Sequence, residues 1–61
     1  MELKIARLRK RMTQEELARK TGICRIIISR AENGDISKLN VKQIKKIVEV
    51  LEVSAEKLFF S

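Results

Sequence analysis

The chain has no proline, tyrosine, tryptophan or histidine, and only two glycines and one cysteine among its 61 residues. Each absence removes a class of chemistry. A single cysteine closes no internal disulfide, and without histidine it lacks the donors of an ordinary zinc site. Ser29 and Cys24 have no histidine to activate them as nucleophiles. Glu15 and Glu16 are adjacent on a helical pattern and cannot converge on one substrate atom. Two glycines are too few for a loop that cradles phosphates. No apolar run approaches the roughly 20 residues that span a bilayer. The opening residues interleave charge with single apolar side chains, unlike a signal peptide. These absences read as a cytoplasmic protein that is not an enzyme, takes no cofactor and has no membrane partner.

What is present in quantity is charge. Lys and Arg number 14 against eight Asp and Glu, for a net charge of +6. The excess is uneven. Residues 1–30 carry nine of the basic and three of the acidic side chains, and residues 31–61 carry five of each. A basic excess confined to one half suggests a face for a polyanion such as nucleic acid; a solvated surface suited to solubility is the alternative. A chain of 61 residues makes one small domain, 1–61, with a core of marginal size.

Helical spacing recurs throughout and period-two alternation never persists, so the fold class is all-α. Leu3, Ile5, Ala6, Leu8 and Met12 predict a first helix over about 2–11. Thr13 with Glu16 forms a capping-box pattern that opens a second helix over about 14–21, with Leu17 and Ala18 on one face. Gly22 permits a left-handed turn into a third helix over about 25–32, which carries Ile28 and Ala31 on one face. Leu17, Ile23 and Ile28 fill the wedge between these two helices. Asn33-Gly34 is a stop signal, and a loop with a turn follows over about 33–40. Asn40 caps a fourth helix over about 41–52, where Val41, Ile44, Ile47, Val48 and Leu51 recur at helical spacing. Ser54 caps a last helix over about 55–60, with Leu58 and Phe59 inward.

Two short helices hinged on a glycine have the spacing of a helix-turn-helix. The segments TQEELA and ISR.ENG, the LK..R of the first helix and the final VSAEKLF carry a resemblance over Leu3 to Phe59. On these motifs the chain resembles the lambda-repressor-like, Cro-type helix-turn-helix regulators of bacteria, archaea and their phages. The resemblance implies a compact five-helix domain whose third helix enters the major groove of double-stranded DNA. It also implies sequence-specific transcriptional control, as a repressor, by a homodimer on an inverted repeat. A regulator this small leaves no residues to build a small-molecule effector pocket.

Transferred by position, the resemblance places Arg25, Ile26, Ile27 and Arg30 on the groove-facing part of the third helix. Arginine gives guanine two parallel hydrogen bonds, a pairing worth about 1–3 kcal/mol of discrimination. Ile26 and Ile27 stand where the family commonly has small polar residues. They pack on thymine methyl groups, form an apolar patch for a protein partner, or mark a rotated helix that buries one of them. Gln14 matches a glutamine that anchors a phosphate, and its N–H opens a helix. Asn33 and Gly34 match positions whose backbone N–H groups bind phosphate. Lys38, Asn40 and Lys42 are phosphate candidates by charge and helix-end position, although the loop lacks the usual proline. Arg7 and Glu32 match a structural pair. Cys24 replaces the usual serine or threonine cap and reads as a small half-buried residue, with a redox-sensing thiol as the alternative. Val50, Val53 and Phe60 are left for a dimer contact, Val53 more simply for the core. The competing reading is a helix-turn-helix kept as a protein-interaction module, with Ile26, Ile27 and Phe60 as its surface and only non-specific DNA affinity.

Overall fold

The computed structural model describes residues 2–60, and within them the chain forms five α-helices and no strand. In order these are α1 Glu2–Arg9, α2 Gln14–Thr21, α3 Arg25–Glu32, α4 Val41–Leu51 and α5 Ala55–Phe59. The two ends of the domain expected over 1–61, Met1 and Ser61, lie outside the described residues.

Most helix starts follow from capping chemistry. At α2 the Thr13 hydroxyl accepts from the Glu16 N–H at 3.0 Å, and the Glu16 carboxylate accepts from the Thr13 N–H at 3.0 Å. Asn40 and Gln43 repeat the arrangement at α4. Ser54 Oγ accepts from the Lys57 N–H at α5. Each reciprocal box satisfies two donors that a helix start leaves without partners. Gly22 ends α2 in the left-handed region at φ 73°, and its N–H donates to the Ala18 carbonyl. A Cβ at Gly22 would meet no atom within 4 Å, so backbone conformation alone favours glycine there.

Three helix ends differ from expectation. α1 stops at Arg9 because Arg11 turns left-handed at φ 56°, and the Met12 N–H reaches back to the Arg7 carbonyl. α4 stops at Leu51 because Glu52 takes the same conformation at φ 57°. α5 ends at Phe59, with Phe60 as its cap.

Leu3, Leu17, Ile28, Ile47, Leu51 and Leu58 are fully buried, so every helix contributes to one core. Ile23, Ala6, Ala31 and Phe59 complete it. The broad apolar stripe expected on α1 is narrower in the fold. Leu3, Ala6 and Arg7 face inward, while Ile5 and Leu8 lie on the far side and are exposed. Val41 is exposed too, although its spacing matches the α4 stripe. A helix buries one face only, and single apolar side chains on the other are ordinary.

Candidate nucleic-acid interface

α3 has two unlike faces. Ile28, Ala31 and Glu32 are buried, with Ile27 half-buried beside them and packed on the core. Arg25, Ile26 and Arg30 are exposed on the other side, and Ser29, half-buried, lies between them. Residues at these spacings share a side of a helix. The four expected base-reading positions therefore do not stay together. Ile27 sits at the edge of the buried face, while Ile26 is 56% exposed. Residue types at 26 and 27 are identical, so no sequence signal separates them. Ser29 takes the place on the outward arc that was expected of Ile27. Neither the Arg25 nor the Arg30 side chain makes a hydrogen bond or ion pair within the described residues, so both guanidinium groups are available.

The position of α3 is set from behind by a buried polar cluster. Arg7 Nε donates to Glu32 Oε2 at 2.6 Å, and Arg7 Nη2 donates to Glu32 Oε1 at 3.3 Å. Arg7 Nη1 donates to the Met12 carbonyl at 2.6 Å. Gln14 Nε2 completes the cluster by donating to Glu32 Oε1 at 3.0 Å. The expected Arg7 and Glu32 thus meet in a forked, charge-assisted pair. Gln14 and the Met12 carbonyl are partners that sequence reading missed: the first reaches across 18 residues and the second depends on how the chain turns after α1, so neither leaves a local pattern. No buried side-chain nitrogen or oxygen among the described residues lacks a partner. α1, the start of α2 and the end of α3 are therefore tied through one carboxylate. Gln14 keeps its helix-opening backbone N–H and one amide hydrogen for an outside partner.

The segment after α3 differs more from expectation. The backbone N–H of Asn33 donates to the Ser29 and Arg30 carbonyls, and that of Gly34 donates to Ala31. These N–H groups close the helix, so they do not face out for a phosphate. The Asn33 side-chain amide donates to the Ser29 carbonyl at 3.1 Å and keeps one hydrogen free. Asp35 Oδ1 accepts from the N–H and the hydroxyl of Ser37, which holds its carboxyl below the ordinary value of 3.8. Ile36 and Leu39 pin the loop to the core, and Lys38 is exposed. At the start of α4, Lys42 is exposed, and the Asn40 amide nitrogen remains free because its oxygen serves the cap.

Cys24 is exposed and its thiol caps nothing, in contrast to the half-buried residue expected. Val50 and Val53 are partly buried against the core, which leaves Phe60 exposed. An open cleft of about 590 Å³ lies between the Thr21-Gly22 turn and α4. No helix among the described residues is long and apolar enough to cross a membrane. No cluster of metal-ligating side chains occurs among them either.

The expected chemistry of this surface is recognition. Two free guanidinium groups and one exposed isoleucine project from a helix braced on its inner side, and cationic or amide donors flank both ends. A family model described as helix-turn-helix matches residues 3–58. No curated protein and no solved structure matches the chain. With the matched span taking in all or part of every helix and both turns of the motif, the chain belongs to the lambda-repressor and Cro-like helix-turn-helix family of DNA-binding regulators.

Proposed function

We propose that this regulator binds a specific duplex sequence by inserting α3 into the major groove. The reading rests on one observation above the others: Arg25 and Arg30 stand exposed and unpaired on the face of α3 that the core leaves open. Arg25, at the first turn of α3, reads guanine through two parallel hydrogen bonds. Ile26 packs on a thymine methyl group, and Ser29 and Arg30 extend the contact along the groove. Ile27, from its half-buried edge, meets the groove wall with what remains exposed. Gln14, Lys38, Asn40 and Lys42 hold phosphates on either side, with Asn33 contributing through its free amide hydrogen and Gly34 shaping the turn. Two copies acting as a homodimer set two such helices about 34 Å apart on one face of the duplex, which selects an inverted repeat. Phe60, exposed at the end of α5, is the apolar side chain best suited to that contact. Occupying a promoter in this way makes the protein a repressor that works in the cytoplasm.

Selection from a randomised duplex pool at near-physiological salt tests the proposal. Enrichment of an inverted repeat with half-sites one helical turn apart is expected. Arg25→Ala should relax the preference at one base pair per half-site and leave the others intact. An unchanged profile for Arg25→Ala sinks that assignment. Binding without enrichment, lost steeply with salt, means backbone attraction alone and favours the interaction-module reading.

A further inference from the structure

The open cleft beside the helix-turn-helix has a lining with a chemical bias. The Thr21-Gly22 turn forms one rim, and Lys42, Gln43, Lys45 and Lys46 of α4 form the other. Asn40 and Gln43 each use the side-chain oxygen to accept the other's backbone N–H, at 2.8 and 3.1 Å, so their amide nitrogens are what remains. The Thr21 hydroxyl gives its proton to the Leu17 carbonyl at 2.7 Å. Lys42 and Lys45 make no ion pair within the described residues. Lys46 reaches Glu49 at 3.6 Å, with both side chains largely solvated. Glu49 is the one carboxylate in the lining, against three lysines.

A cleft that offers three ammonium groups and two amide donors against a single carboxylate, itself beside Lys46, suits a ligand built of acceptors and negative charge. Carboxylates present two oxygens; a phosphate group presents more and carries a denser charge. We propose that this cleft is a phosphate-binding site, held by Lys45 and Lys46 together with Lys42 and the amides of Asn40 and Gln43. Two sources supply that chemistry. One is the sugar–phosphate backbone of duplex flanking the half-site, which rests on the DNA-binding reading above and extends its footprint to the middle of α4. The other is a free phosphorylated small molecule, which does not depend on that reading.

The test uses the intact chain and two arms. In the first, ¹H–¹⁵N spectra are recorded while inorganic pyrophosphate is added, with sodium chloride at matched ionic strength as control. Saturable shifts of the Asn40 and Gln43 side-chain amide signals are expected, and their loss in Lys45→Gln/Lys46→Gln, whose circular dichroism and melting should match the parent. In the second arm, the salt dependence of duplex binding is compared between parent and double variant. A slope lower by about two units assigns the site to DNA backbone. An unchanged slope with the pyrophosphate shifts present assigns it to a free phosphorylated ligand. If the parent responds to pyrophosphate yet binds no duplex, the DNA-binding reading fails and the cleft stands. Shifts spread over the lysine-bearing surface without saturation, together with an unchanged slope, overturn the proposal.

Discussion

Glu32→Gln tests the internal bracing of α3 most directly. The Arg7 and Glu32 side chains are 8% and 3% exposed, so the substitution leaves a guanidinium buried without its counter-charge. Breaking a buried pair from one side costs about 3–5 kcal/mol, because desolvation of the remaining charge goes uncompensated. Glutamine keeps one acceptor oxygen but turns a donor toward Arg7 or Gln14, which points to the lower end, about 3 kcal/mol. Total stability for 61 residues is on the order of 3–9 kcal/mol, so a third of it or more is at stake. The melting temperature should fall by roughly 12–24 °C. Urea unfolding followed by far-ultraviolet circular dichroism is the suitable assay, since the chain has no tryptophan or tyrosine for fluorescence. The double variant Arg7→Met/Glu32→Leu removes both charges and should recover much of the loss. Recovery stays incomplete because the Met12 carbonyl and Gln14 amide lose their partners. A loss under about 1 kcal/mol for Glu32→Gln, or a double variant equal to the sum of its singles, would refute the coupling.

Other substitutions probe local conformation and charge. Cys24→Ser supplies the cap acceptor that the thiol does not provide, and should raise stability by about 1 kcal/mol in the same urea assay. Arg11→Gly relieves a left-handed residue at φ 56°. That conformation costs about 1–2 kcal/mol without glycine, and glycine's extra unfolded-state entropy offsets roughly 0.5–1 kcal/mol, so a net gain below about 1.5 kcal/mol is expected. The N–H and hydroxyl of Thr13 hold the Glu16 carboxyl below its ordinary value of 4.5. A carboxylate lowered on folding contributes stability that is full above its ordinary value and is lost as pH falls through the folded one. Melting temperature should therefore decline in the acid range, and Glu16→Gln, which can keep the capping geometry, should flatten that decline. An identical acid profile would refute the assignment.

Much of the architecture was legible because it rests on short-range chemistry. Thr13 with Glu16, Gly22 and Asn40 announce helix ends within four residues of themselves, and α2 and α3 run as their signals predict. α1 was less legible. Its end depends on Arg11 adopting a conformation that glycine or asparagine would have advertised. Its apolar residues are spread around the helix, so spacing alone could not say that Leu3 faces inward and Ile5 outward. On α3, residue type marked Arg25 and Arg30 as exposed positions, but the difference between Ile26 and Ile27 is a matter of helix rotation against the core. The engaged N–H groups of Asn33 and Gly34 depend on how the chain closes after α3, which the dipeptide alone does not specify.

The division of α3 into an inner and an outer face bears on how such a regulator changes its target. The side chains of Ile28, Ala31 and Glu32, with Ile27 beside them, anchor the helix to the core, whereas those of Arg25, Ile26 and Arg30 are exposed. Replacements at exposed positions of this kind usually shift stability by no more than about 0.5 kcal/mol. If α3 reads the groove as proposed, mutation can therefore explore new operator preferences on the outer face while the scaffold stays unchanged. On that proposal, a duplicated copy of this chain is separated from its parent's binding sites by a few outward side chains.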